Sequence, residues 1–257
     1  MNLVEYNVED RICFITLNRP EKRNALNPEL VAALKEALDR AQKDTQAKVI
    51  VLQARGEAFC AGADLAYLQQ LRDFSYEENL ADSTSLKELF EKIYTHDKVV
   101  IAQVQGHALA GGCGLVTVCD FCFTVDAAKF GYTEVKIGFV PAIVMAFLVR
   151  KIGEGKARHL LLGGSQLSAK EAYSIGLVNC VSQEKLLESD VLKFAEYLVR
   201  SNSGEAMRLT KKMLTSASTL PLHEMLQQAA QLNARARATE DCKKGIDAFL
   251  NKQKITW

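Results

Sequence analysis

Three short runs made almost wholly of apolar residues, 48–52 (KVIVL), 99–104 (VVIAQV) and 121–125 (FCFTV), constrain this chain more than any other feature. Runs that are apolar throughout, instead of alternating, belong to strands covered on both faces, as in a parallel sheet flanked by helices. The segments between them have helical spacing, which predicts an α/β protein. Residues 4–17 read as two short strands turned at Glu9-Asp10, because Val8, Ile12 and Phe14 alternate with polar neighbours. A helix follows: Asn27 suits the N-cap, Pro28 the first helical position, and Leu30, Val31, Leu34, Leu38 and Ala41 form one apolar stripe. Further helices are predicted from about residue 112 and over 169–174, with a strand over 177–181. Beyond residue 182 only helical patterns remain, over 187–201, 204–215 and, after Pro221, about 222–252. A helix of roughly 30 residues is about 45 Å long. It outruns a small domain and is expected to pack on a neighbouring subunit.

Composition narrows the partners. The chain has 257 residues, 48% hydrophobic and 25% charged, enough for one substantial core. Its 32 basic and 31 acidic residues leave a net charge of +1, which gives no reason to expect nucleic acid or an anionic membrane. The first residues, MNLVEYNVEDRICFITL, show no signal or transit pattern, and no apolar run approaches the roughly 18 residues of a membrane span. Seven cysteines in mostly apolar contexts fit reduced thiols, so a cytoplasmic location is expected. Cys119 and Cys122 form a lone CxxC without a second pair or a nearby histidine, and are read as buried structural thiols with no metal site.

Two glycine-bearing loops follow buried strands: residues 56–65 (GEAFCAGADL) and 106–114 (GHALAGGCG). Small residues there allow a ligand close to the backbone, and the free amides of a helix N-terminus point at developing negative charge. Neither loop has the glycine and lysine spacing of a phosphate-binding loop. Taken alone, each is explained by tight helix packing. Their occurrence with a carboxylate, Glu134, in 130–138 (FGYTEVKIG) points to chemistry.

The run 101–121 (IAQVQGHALAGGCGLVTVCDF), with AFCAGADL before it and FGYTEVKIGFVP after it, resembles the crotonase (enoyl-CoA hydratase/isomerase) family. The likeness extends from NRPEKRNAL at 18–26 to FLNK at 249–252 and covers essentially the whole chain. It implies a spiral of ββα units over residues 1–190 and a helical trimerisation region over 191–257, assembled as a trimer or a dimer of trimers. It also implies that the backbone amides of Ala63 and Gly111 grip an acyl-CoA thioester oxygen and stabilise an enolate, with Glu134 as acid and base. Coenzyme A, as part of the substrate and with no other cofactor, would lie along Lys22, Arg23 and Ala25 and over Ala61, Gly62, Asp64 and Leu65. Lys252 of a neighbouring chain would meet its phosphates, and Gly112, Gly114, Thr133 and Ala142 are implied substrate contacts. As solvated charges, Lys22, Arg23 and Lys252 would equally need no ligand.

Two departures bear on the reaction. Family hydratases carry two glutamates that hold a water, and Gly114 stands at the first of those positions. One carboxylate satisfies a Δ3,Δ2-enoyl-CoA isomerase, which needs only proton transfer. The segment after Pro141, glycine-rich in family hydratases, is AIVMAF here. TEVKIGFVPA with AGGCGLV looks most like bacterial methylglutaconyl-CoA hydratase-type proteins of leucine breakdown, which favours hydration with a water held partly by backbone. Arg72, Lys87 and Lys92 are then candidates for a distal substrate carboxylate. Loss of the first glutamate also leaves open a non-catalytic acyl-CoA-binding subunit. Asp120 is read as a structural hydrogen-bond partner, and the four histidines show no hydrolase order.

Overall fold

The computed structural model describes residues 2–217 and 220–257. Strands β1 (Val4–Glu9) and β2 (Ile12–Leu17) pair antiparallel, and the turn between them uses left-handed Asp10 and Arg11. Helix α1 (Pro28–Lys43) starts at Asn27, whose side chain accepts from the Leu30 amide, and it buries the expected stripe. Strand β3 (Val49–Ala54), helices α2 (Leu65–Leu71) and α3 (Tyr76–Tyr94), strands β4 (Val99–Val104) and β5 (Ala108–Leu109), and helix α4 (Gly111–Val118) come next. They lead into β6 (Phe121–Val125), β7 (Lys129–Gly131), α5 (Ala142–Ile152) and α6 (Glu154–Gly163). Then come β8 (Gln166–Ser168), α7 (Ala169–Ser174), β9 (Cys180–Ser182) and four C-terminal helices. These are α8 (Leu187–Ser201), α9 (Gly204–Ala217), α10 (Leu222–Ala238) and α11 (Glu240–Leu250).

One sheet runs β1-β2-β3-β4-β6-β9, parallel at every pairing after the first hairpin. The apolar runs therefore lie where both faces are covered, and Val49, Ile50, Val51, Val100, Ile101, Ala102 and Cys122 are fully or almost fully buried. A second, three-stranded sheet, β5-β7-β8, was not evident from the sequence because its strands have only two or three residues each. Each long strand β4 or β6 is followed by a short one, β5 or β7, and then by a helix. This repeated step from sheet to sheet to helix is the spiral of ββα units, with a helical C-terminal region after it.

Three expectations change in detail. The strand expected over 177–181 begins at Cys180; Leu177 and Val178 are buried in the turn, where their amides donate to the Ala172 carbonyl. The boundary expected between residues 190 and 191 falls inside α8, whose Leu187, Val191, Ala195, Leu198 and Val199 are buried. The single helix expected over 222–252 is broken at Thr239, which is extended and N-caps α11 by accepting from the Cys242 amide. A β-branched capping residue followed by Glu240 and Asp241 favours a new helix start there over continuation.

Lysine ammonium groups close several helix C-termini. Lys98 reaches the Ala41 and Asp44 carbonyls at the end of α1, and Lys48 reaches Val199 near the end of α8. Lys211 on α9 reaches Ile93 near the end of α3, and also pairs at 2.6 Å with Asp120, which accepts from the Val100 amide. Asp120 is thereby a structural anchor. Burial lowers the pKa of Lys98 and brings that of Lys48 to about 8. Among the described residues no helix is long and apolar enough to cross a membrane.

Candidate active site

Three chain segments run side by side in the same direction. Cys60 bridges Ala108 in parallel, and Ala108 pairs in parallel with Phe130 across β5 and β7. Ala63 and Gly111 lie three residues beyond Cys60 and Ala108, and Glu134 four beyond Phe130, so all three emerge at one edge. The two loops are in contact. The amides of Phe59 and Cys60 donate to the His107 carbonyl and that of Leu109 to Cys60, while a Cβ on Gly112 would lie 2.2 Å from the Cys60 carbonyl oxygen. Only glycine allows that approach.

Leu26 links the amides of interest, a role the sequence did not reveal. Its amide donates to the Gly62 carbonyl at 2.7 Å and its carbonyl accepts from Asp64 at 2.8 Å. In a parallel pairing this leaves the intervening Ala63 amide turned to the other side. The Leu26 side chain meanwhile abuts Gly111, where an added Cβ would lie 2.9 Å from its Cδ1. Ala110, at φ 48° and ψ −122°, turns the chain sharply into α4, and its amide is held by the Gly131 carbonyl at 2.8 Å. Such strain in a non-glycine residue persists only where the surroundings enforce it. Gly111 opens the helix, so its amide has no intrahelical acceptor one turn back.

Glu134 begins a short 3-10 turn over Glu134–Ile137 after Thr133, and is half-buried. Among the described residues its buried Oε2 has no hydrogen-bond partner, and burial raises its pKa from the ordinary glutamate value against an opposing backbone hydrogen bond. Desolvation disfavours the anion, and no cation among the described residues figures among the causes that offset it. Beneath it, Tyr132 is fully buried, with its hydroxyl 2.5 Å from that of Thr117 on α4.

Gly114 is enclosed by α3 and α5. A Cβ there would lie 2.6 Å from Val144 Cγ1 and 2.8 Å from Phe90 Cζ, and the Gly114 amide donates to the Ala110 carbonyl at 3.0 Å. The Gly114 amide is thus spent inside the helix and the space beside its Cα is lined by apolar side chains, so a backbone-held water would need a donor from another residue. The sequence did not couple Phe90 to this position, since they are far apart along the chain.

The remaining expected contacts separate by character. Ala25, Gly62, Asp64 and Gly112 are buried, Ala61 and Thr133 are half-buried, and Lys22, Arg23, Leu65, Ala142 and Lys252 are exposed. Leu65 is 80% exposed. Asp64 is committed within the chain: it N-caps α2 and pairs with Arg19 at 2.6 Å. Burial tends to raise its pKa, and the Arg19 and backbone hydrogen bonds outweigh burial and lower it. Of the basic candidates, Lys92 pairs with Asp39 on α1 and Lys87 with Glu91, while Arg72 is exposed at the end of α2. The buried CxxC thiols are held high by desolvation, and Cys119 donates to the Leu115 carbonyl.

The spiral α/β fold thus brings two loop-end amides, those of Ala63 and Gly111, and the desolvated Glu134 carboxylate to one edge. The chain belongs to the enoyl-CoA hydratase/isomerase family, whose model matches residues 7–257. A Thermus thermophilus protein named as a candidate enoyl-CoA hydratase is 42% identical, over 94% of this chain and 95% of its own. The 2,3-dehydroadipyl-CoA hydratase of Escherichia coli is 33% identical, over 95% of this chain and 94% of its own. The structure of an enoyl-CoA hydratase from Bacillus anthracis superposes with a TM-score of 0.92 at 30% identity, covering 99% of this chain and 98% of that one.

Proposed function

We propose that this chain hydrates a 2-enoyl-CoA thioester, with the Ala63 and Gly111 amides holding the thioester oxygen and Glu134 as sole acid and base. The observation that carries this reading is the Glu134 carboxylate, half-buried, with one oxygen unpartnered and a raised pKa. One carboxylate suffices for net addition. It takes a proton from water as the oxygen adds to C3, the π electrons move onto the thioester oxygen as an enolate, and the acid so formed returns the proton to C2. A raised pKa suits a group that must serve in both states. The hydratase names of the relatives support this direction.

Coenzyme A would run along Lys22, Arg23 and Ala25 and over residues 61–65, with Gly112, Gly114, Thr133 and Ala142 nearer the acyl group and no further cofactor. Lys252 of a second copy is proposed for the phosphates, in a trimer or dimer of trimers; the exposed Leu222, Leu226, Phe249 and Leu250 support self-association. 3-Methylglutaconyl-CoA is the proposed substrate, on the strength of TEVKIGFVPA; the E. coli relative's name carries a different thioester. A second reading, double-bond isomerisation, is favoured by the apolar packing at Gly114. A panel of 2-enoyl-, 3-enoyl- and 3-methylglutaconyl-CoA thioesters, followed for 3-hydroxyacyl product and for double-bond migration, tests both. Migration without water addition would replace hydration with isomerisation, and neither product on any thioester would remove both.

A further inference from the structure

Helix α4 carries Gly111 at its N-terminus, yet three of its first four residues are glycine, the poorest helix former after proline. With eight residues it is about 12 Å long, too short to hold itself. Its position is imposed from outside. At the C-terminal end, Lys151 of α5 places its Nζ 2.8 Å from the Cys119 carbonyl, 3.1 Å from Thr117 and 3.3 Å from Val116. An ammonium has three donors, and here three carbonyls at one helix end receive them. A cation at this end also complements the helix dipole. Burial lowers the Lys151 pKa, and the nearby carboxylate of Asp120, which favours the ammonium, is already paired with Lys211.

We infer that Lys151 is a positioning residue for the proposed oxyanion site, gathering the C-terminal carbonyls of α4 and so fixing where the Gly111 amide sits at the other end. The inference rests on the reading of Gly111 as an oxyanion donor. Lys98 and Lys48 make the same kind of cap on α1 and α8, which carry none of the proposed catalytic groups, so they separate positioning from mere helix stability.

The test compares Lys151→Met, Lys151→Arg and Lys98→Met as full-length protein. The first readout is turnover of a 2-enoyl-CoA; the second needs no turnover and follows the enolate absorbance of bound acetoacetyl-CoA against pH. Lys151→Met is expected to lower kcat about tenfold with KM little changed, and to raise the apparent pKa for enolate formation by about one unit. Lys151→Arg should recover most of both, and Lys98→Met should lower the denaturation midpoint without moving either. Unchanged kcat and enolate pKa in a folded Lys151→Met protein would overturn the role of Lys151. Equal losses in the Lys98 variant would overturn it too, by reducing it to stability. Wild-type protein that never stabilises bound enolate would instead remove the oxyanion reading, and Lys151 with it.

Discussion

Glu134 has an acid whose pKa is pushed upward by its own burial, and that makes its behaviour testable in two ways. Glu134→Gln keeps the shape and removes the proton acceptor, so kcat should fall at least about a hundredfold with acyl-CoA affinity little changed. In the wild type, kcat/KM should fall as pH drops through the raised carboxylate pKa, because the base form is lost. Any residual activity of the Gln variant should lack that limb. Gly114 asks a different question. A side chain there collides with Val144 and Phe90, so Gly114→Glu is expected to destabilise by about 1–3 kcal/mol and to reduce turnover of every thioester. Urea unfolding and the thioester panel measure both; a stable variant with increased hydration would show that the pocket can open.

At the scale of elements, buried lysines tie helix ends to the sheet, and their energetics depend on pH. Lys48, at the end of α8, has a pKa lowered from 10.5 to about 8 by burial, with the Arg11 charge adding to it. Because the unfolded chain holds that proton more tightly, stability from this group rises as pH climbs from about 8 towards 10.5. Lys48→Met should remove that rise, read as the difference between urea midpoints near pH 7 and near pH 10. The Lys211–Asp120 pair joins α9 to the start of β4, where Asp120 accepts from the Val100 amide, and Lys211 is almost fully buried. Lys211→Met leaves Asp120 without its cation and should cost about 3 kcal/mol, measured by the same unfolding experiment.

Over the whole molecule, the last two helices, α10 and α11, bury little of their surface. No residue of α10 is buried, and Phe249 and Leu250 are 82% and 70% exposed. Apolar side chains left this open on consecutive helices are what the proposed self-association would cover. Sedimentation of the wild type is expected to give a species larger than a monomer. Phe249→Glu with Leu250→Glu should shift it toward monomer, and a wild type that is wholly monomeric and active would contradict this.

Local chemistry was enough to determine the first hairpin, α1 with its Asn27 cap, and the buried strands β3, β4 and β6, because each is written in adjacent residues as periodicity, capping or a continuous apolar run. The loops at 56–65 and 106–114 and Glu134 were legible only as a set, through their order and spacing in a family pattern. What tertiary structure alone decided is how those pieces meet. Leu26 joins the two amide loops, Phe90 and Val144 fill the space beside Gly114, Lys151 closes α4, and Thr239 breaks the final helix. Most of these depend on contacts between segments distant along the chain, and the break at Thr239 on a cap competing with helix continuation. No window of sequence carries a distance of that kind, and the three parallel segments that present Ala63, Gly111 and Glu134 together exist only once the spiral has closed.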